Sequence, residues 1–296
     1  MISIVILTYN DECQIANCLN SIKSLSDDIV VIDSFSTDRT QDICVAAGAK
    51  FIQNPFINQA IQFNWALDNV PLKYEWVLRL DSDEIVPEGL CEEIRARVGK
   101  DADVRAYALN RRMIWMGRWL KHGRMYPHYI VRLFQKGYAR YEERTEEHLI
   151  VTGTTARMTN DFLEDNKKNL LDFFTEKHLS TARGEVVEAL HASSARETDE
   201  ATAAATDEVA VEGRLFGNKV ERTRWLKEHI YAGTPLFVRP FVYFLYRYIL
   251  CLGFLDGVPG LTWHILQGFW YRFYIDAKLW EARRTPYADP FDYKKI

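Results

Sequence analysis

The chain opens on an apolar run, "ISIVIL", that breaks at once into the polar "TYNDE". A short apolar run with an abrupt polar end is the pattern of a buried strand. The next stretch, "DECQIANCLNSIKSL", sets Ile15, Cys18, Leu19, Ile22 and Leu25 at helical spacing, and "DIVVID" is a second strand run. "DRTQDICVAAGAK" reads as a short helix closed by Gly48, "FIQ" as a third strand and "NQAIQFNWALDNV" as a helix. "YEWVLRL" is the fourth strand, and Pro87 opens a helix at "PEGLCEEIRARV". Strands separated by single helices predict a parallel sheet covered on both faces.

After Gly99 the pattern changes. "VRAYALNRRMIW" and "HYIVRLFQKG" predict longer, partly solvated strands joined by an irregular connection, "MGRWLKHGRMYP". "DNKKNLLDFFTEKHLSTARGEV" predicts a helix, and the Ala-, Thr- and acid-rich stretch that follows, residues 191–213, predicts a mobile linker, with a solvated helix as the alternative. In the last sixty residues two aromatic and aliphatic segments flank "GFLDGVPG", a turn by its Gly and Pro content. Arg239, Arg247, Asp256 and Arg272 interrupt every stretch long enough to span a bilayer. The expected arrangement is a helical hairpin lying in the membrane surface, its aromatics at headgroup depth; a buried helical pair is the alternative.

Composition adds limits. A formal net charge of −4 on 296 residues gives no reason to expect nucleic acid. Five cysteines without a CxxC pair favour reduced thiols in a cytoplasmic setting. The N-terminus lacks a basic segment and a long apolar one, so no signal peptide is expected.

Ligands bind outside the carboxyl ends of strands in open α/β sheets. Three polar clusters stand at such ends: Thr8, Tyr9 and Asn10; Asp33, Ser34, Ser36 and Asp38; and Asp81, Asp83 and Glu84. A tyrosine there can stack on a base. An Asp-x-Asp pair offers hard oxygens to Mg2+ or Mn2+, which would neutralise a diphosphate. Neither GxGxxG nor GxxxxGK[ST] follows a strand, which counts against dinucleotide dehydrogenases and P-loop enzymes.

In order and spacing, "SIVILTYNDE", "IVVIDSFSTDRT" and "VLRLDSDEIVPE" resemble the family 2 inverting glycosyltransferases of the GT-A fold. "TEEHLIVTG", "NDFLEDNKKNL" and "GFLDGVPGLTWHILQGFWYRFYIDAK" are similar to the membrane-associated bacterial subset that builds cell-envelope and exported polysaccharides. That resemblance implies that Tyr9 packs on the base, with Thr8, Asp33 and Ser34 beside it. Ser34 replaces the second acid of the usual turn, and UDP is the expected nucleotide. It further implies that Asp83 holds the metal, with Asp81 nearer the ribose and diphosphate but able to share it. Inversion requires a general base opposite the leaving group, and the resemblance points to Glu147 of "EEH", for which a solvated strand edge or an ion pair with Arg144 is the structural alternative; His148 is expected to orient Glu147, to touch phosphate or to be structural. Arg111, Arg112, Arg118, Lys121 and Arg124, interleaved with Trp115 and Trp119, suit sugar stacking and a pyrophosphate on the acceptor side. Asp161, Lys177, His178 and Arg183 fall in similar stretches without an assigned role.

The expected whole is an α/β GT-A (Rossmann-like) domain over residues 1–165, a helical segment with the linker over 166–234, and the membrane hairpin over 235–296. It would move a sugar from a UDP-sugar to a lipid-linked glycan acceptor at the cytoplasmic face of the inner membrane as a peripheral, monotopic protein. A non-catalytic glycan-binding scaffold and a sugar-nucleotide pyrophosphorylase are the rival readings; the latter wants a basic glycine-rich loop that "TYNDECQ" does not supply.

Overall fold

The computed structural model describes residues 1–142, 149–168, most of 171–190, and 234–284. The chain divides into two compact units, Met1–Phe173 and Phe174–Ile296. The expected linker, residues 191–213, lies outside the described residues.

In the first unit β1 (Ser3–Thr8), β2 (Ile29–Asp33), β3 (Lys50–Gln53) and β4 (Trp76–Asp81) pair in parallel in the order β3-β2-β1-β4. The connecting helices are α1 (Ile15–Ile22), α2 (Thr40–Ala46) and α3 (Gln59–Asn69), and α4 (Glu88–Arg97) follows β4. Alternation along β1 explains the layering: Ile4 and Ile6 pack with Ile15, Leu19, Leu90 and Ile94, while Val5 and Leu7 pack with Ala60, Phe63 and Phe134. Both faces of β1 are therefore covered, which is why its sequence is apolar throughout. Helix α3 starts cleanly because the Asn58 side chain accepts from the Ile61 N–H at 2.7 Å.

Beyond β4 the sheet becomes mixed. It continues through β8 (Tyr129–Gln135), β6 (Val104–Trp115), β11 (Thr154–Glu164) and β5 (Glu84–Ile85). A separate antiparallel pair joins β9 (Ala139–Tyr141) to β10 (Leu149–Val151). Two features differ from the sequence expectation. The "irregular" connection after β6 starts as a tight hairpin to β7 (Arg118–Trp119), with Met116 and Gly117 both at positive φ, 50° and 74°. Two consecutive left-handed residues are what a type I′ turn needs. Strand β11 also went unread, because polar residues such as Thr155, Arg157, Thr159 and Asn160 interrupt its apolar pattern.

The second unit is helical in its described residues. Helix α5 (Val238–Leu245) widens into a π-type turn, Tyr246–Leu250; after a 3₁₀ turn, Gly253–Asp256, α6 (Gly257–Trp263) runs through a second π-type stretch, His264–Trp270, into α7 (Tyr271–Arg284). The expected turn thus contributes "GVPG" to the first turn of a helix, where a proline's missing N–H costs nothing. Ala182, Val186, Tyr271, Ile275 and Leu279 form its core, and the Arg239–Asp276 ion pair is buried. A Cβ on Gly253 would stand 2.6 Å from His264 Nε2, so only glycine fits there. His178 stacks on Phe174 in this unit.

No single helix among the described residues is long and apolar enough to cross a membrane; Val238–Leu250 and Gly253–Arg284, bent by 69°, pass that test only as a pair. Large apolar side chains nonetheless face outward along this pair, among them Phe241, Val242, Leu245, Ile249, Leu250 at 74% exposure and Val258 at 69%.

Candidate active site

The parallel register brings the three polar clusters together, since Thr8 is opposite Asp33 and Leu7 is opposite Asp81. At the β1 end Tyr9 is 54% exposed, while Thr8 Oγ1 donates to Asp11 Oδ2 at 2.8 Å. Asp11, absent from the expected set, is buried and also accepts from the Tyr9 N–H at 3.0 Å and from Gln14 Nε2 at 2.8 Å. At the β2 end Asp33 is buried and its carboxylate faces inward. It accepts from the Ser36 N–H at 2.8 Å, from the Ser36 hydroxyl and from Gln53 Nε2 at 3.1 Å, so it braces the turn. The Ser34 N–H donates to Thr8 O at 3.1 Å, and Gln62 Nε2 reaches Ser34 Oγ at 3.4 Å.

The acidic crowding after β4 is balanced from below by two arginines. Arg79 on β4 and Arg132 on β8 are buried; Arg79 Nη2 lies 3.2 Å from Asp81 Oδ1 and Arg132 Nη2 lies 2.9 Å from Asp81 Oδ2. Arg132 Nη2 also holds Glu84 Oε1 at 2.5 Å, and Glu84 Oε2 accepts from the Asp81 N–H at 3.0 Å. Burial pushes the Glu84 carboxyl up to about 8, with Arg132 pulling the other way. Each Asp81 oxygen thus faces a guanidinium group, which fixes the carboxylate's orientation at the turn. Asp83 is half-buried in the turn and accepts from Asn166 Nδ2 at 3.0 Å.

Among the described residues no group of three or more His, Cys, Asp or Glu side chains is arranged to hold a cation. The donor chemistry still suits Mg2+ or Mn2+, since Mg2+ keeps several waters and is commonly held by one or two carboxylates together with substrate phosphates. Asp81, at the end of β4, and Asp83, in the turn after it, are the carboxylates that could supply these ligands.

A segment sequence reasoning missed ties the clusters together. The Asp165 N–H donates to Asp83 O at 3.0 Å and the Lys167 N–H to Gln14 Oε1 at 2.9 Å; Lys168 Nζ sits 2.8 Å from Asp11 Oδ1 and 3.0 Å from Tyr9 O. Asn166 is oriented by the Lys168 N–H, which donates to its Oδ1 at 2.9 Å and leaves its Nδ2 for Asp83. "NDFLEDNKKNL" was the available signal, but spacing alone could not show where it lands.

On the β6 side Asp161 is buried and accepts from Asn110 Nδ2 at 2.7 Å, Arg112 Nε at 2.5 Å and the Tyr126 hydroxyl at 3.0 Å. Arg112 and Lys121 both lie over the Trp119 ring, 4.5 and 4.3 Å from its centroid, and Arg111 pairs with Glu164. Trp115 is buried at 5% exposure, so it presents no face to a sugar, contrary to the stacking expectation. Glu147 and His148, with Arg144, Lys177 and Arg183, lie outside the described residues.

A family model described as glycosyl transferase family 2 matches residues 3–166. An uncharacterized glycosyltransferase of Rickettsia typhi is 32% identical over 142 residues, 47% of this chain and 48% of that protein. The SPbeta prophage-derived glycosyltransferase SunS of Bacillus subtilis is 29% identical over 102 residues, 33% of this chain and 23% of that protein. The chain spans about half the length of the Rickettsia relatives it matches. Among solved structures, glucosyl-3-phosphoglycerate synthase from Mycobacterium tuberculosis, in complex with Mn2+, UDP and glucosyl-3-phosphoglycerate, is similar with a TM-score of 0.34 and 22% identity, over 38% of this chain and 44% of that one.

Proposed function

This chain belongs to glycosyl transferase family 2, and on that premise we propose that it moves a sugar, with inversion, from a UDP-sugar to a lipid-linked glycan acceptor. The observation that carries the donor half is the meeting of Tyr9, the Ser34–Ser36 turn and the Asp81–Asp83 turn at the carboxyl ends of three adjacent strands. Tyr9 offers a ring to the base. Asp81, held by Arg79 and Arg132, is fixed to accept from a ribose hydroxyl. Asp83 would hold Mg2+ or Mn2+, and the ion would neutralise diphosphate charge. Glu147 takes the acceptor hydroxyl proton; that role rests on the sequence resemblance.

Calorimetry with UDP, GDP and dTDP, each with Mn2+ and with EDTA, tests the donor half. UDP is expected to bind with metal and to lose most of that affinity in EDTA, and Asp83→Asn should abolish the metal dependence. If no nucleotide binds with metal, the donor reading falls and a scaffold takes its place.

The acceptor half and the role in polysaccharide assembly rest on the sequence resemblance, and the outward apolar residues of α5, the turns after it and α6 support a peripheral position at the cytoplasmic membrane face. Fully burying one aliphatic side chain contributes roughly 1.5–3 kcal/mol, so Leu250→Asp with Val258→Asp is expected to weaken binding to anionic phospholipid vesicles by at least about tenfold. Undiminished co-sedimentation of that variant with the vesicles would count against membrane docking through this face.

A further inference from the structure

We infer that Phe35 is a second aromatic contact for the donor's nucleobase, acting with Tyr9; the inference rests on the nucleotide-donor reading above. Phe35 combines two features that a purely structural residue would avoid. Its backbone is left-handed, φ 62°, and its side chain is 51% exposed. A turn that needs positive φ is ordinarily given to Gly, Asn or Asp, because a bulky side chain is strained there. A half-exposed ring offers little packing in exchange.

The strained conformation is over-determined by its surroundings. Asp33 accepts from the Ser36 N–H at 2.8 Å, and the Asn10 N–H donates to Ser36 Oγ at 2.8 Å. The Thr37 N–H donates to Asn10 Oδ1 at 2.8 Å, and Asn10 itself is left-handed at φ 50°. These bonds lace the end of β1 to the turn after β2. They fix a left-handed residue in each loop, one of them directly after Tyr9 and the other Phe35 itself. Strain held this firmly points to a function at the strained residue.

Position supplies the ligand chemistry. Strands β1 and β2 are adjacent and parallel with Thr8 opposite Asp33, so Tyr9 and Phe35 both follow the same edge of the sheet, one and two residues beyond the paired positions. Two exposed aromatic rings at that edge suit a flat, partly apolar ligand. The nucleobase is the part of a sugar nucleotide with that character. Stacking of this kind adds affinity for any base, because every base has a π-face.

The test compares native protein with Phe35→Gly, Phe35→Leu and Phe35→Tyr by calorimetry, using UDP and, separately, inorganic pyrophosphate with Mg2+, alongside thermal melting. Loss of one base stack predicts UDP binding weaker by about five- to a hundredfold in the Gly and Leu variants. Pyrophosphate binding should be unchanged, and the Tyr variant should retain UDP affinity. Because glycine accepts positive φ without strain, Phe35→Gly should hold or raise the melting midpoint by up to about 4 °C while binding falls. UDP affinity indifferent to residue 35, an equal loss of pyrophosphate binding, or a midpoint that falls together with affinity would overturn the role. Native protein that binds no UDP would overturn the donor reading itself, and this role with it.

Discussion

Above about pH 8, where Glu84 is ionised in the folded chain, Arg132→Met is expected to cost about 3–5 kcal/mol of stability, the cost of removing one partner from a buried ion pair. Arg132 is the cation in contact with Glu84, 2.5 Å away, and Glu84 is fully buried. Once that guanidinium is gone, the Asp81 N–H and the charge of Arg79 remain to offset burial, and whatever fraction of the group is ionised is driven to take up a proton. The pH dependence has a definite sign. A carboxyl pushed up to about 8 in the folded chain keeps a proton that the unfolded chain releases above its ordinary value near 4.5. The associated stability is therefore fully present below that value and is lost as pH rises through the folded one. Without Arg132 the folded value climbs further, so the variant should lose more stability at pH 8 than at pH 5 in denaturant titrations. Adding Glu84→Gln should recover most of the loss and flatten the difference between the two pH values. A double variant as unstable as Arg132→Met alone would show that packing of the long side chain, and not charge, is what the fold needs.

This network also marks the limit of what the sequence makes legible. Strands β1, β2 and β4 can be read because each is an apolar run ending in a polar cluster, and a parallel sheet aligns those ends. That reading places Thr8, Tyr9, Ser34, Asp81 and Asp83 at one edge of the sheet, where the structure has them. Arg79 and Arg132 were not, although each stands inside an apolar run, as in "VLRLD" and "YIVRLF". A charge in such a run is rarely buried alone, so the signal was present, but only the antiparallel pairing of β4 with β8 reveals that both arginines serve the same carboxylate, Asp81. Asp11 and the 165–168 segment were missed for a related reason. Their partners are fixed by tertiary geometry, Lys167 meeting Gln14 across 153 residues of sequence. Trp115 was over-read, because an aromatic among arginines resembles a binding surface until the strand's alternation turns it inward.

Glu147→Gln is expected to lower the transfer rate by about a hundred- to ten-thousandfold, the usual worth of a general base, with UDP affinity nearly intact. The proposed inverting displacement requires the acceptor hydroxyl to lose its proton as it attacks, and glutamine cannot accept it. Glu147 follows β9 in sequence, and the end of that strand is anchored to the donor turn. The Tyr141 hydroxyl accepts from Arg79 Nη1 at 2.6 Å, and the Tyr141 N–H and C=O both pair with the Asn64 side chain, at 3.0 and 2.9 Å. Since Arg79 also holds Asp81, the end of β9 and the turn proposed for the donor share one fixed point. The measurement is the transfer rate against pH with saturating UDP-sugar, beside UDP calorimetry on the same protein. A general base gives the native enzyme an acid-side limb in that profile, and the Gln variant should lose the limb along with the rate. If the variant loses UDP affinity in proportion to its rate, Glu147 acts by ordering the segment, and the base must be sought elsewhere.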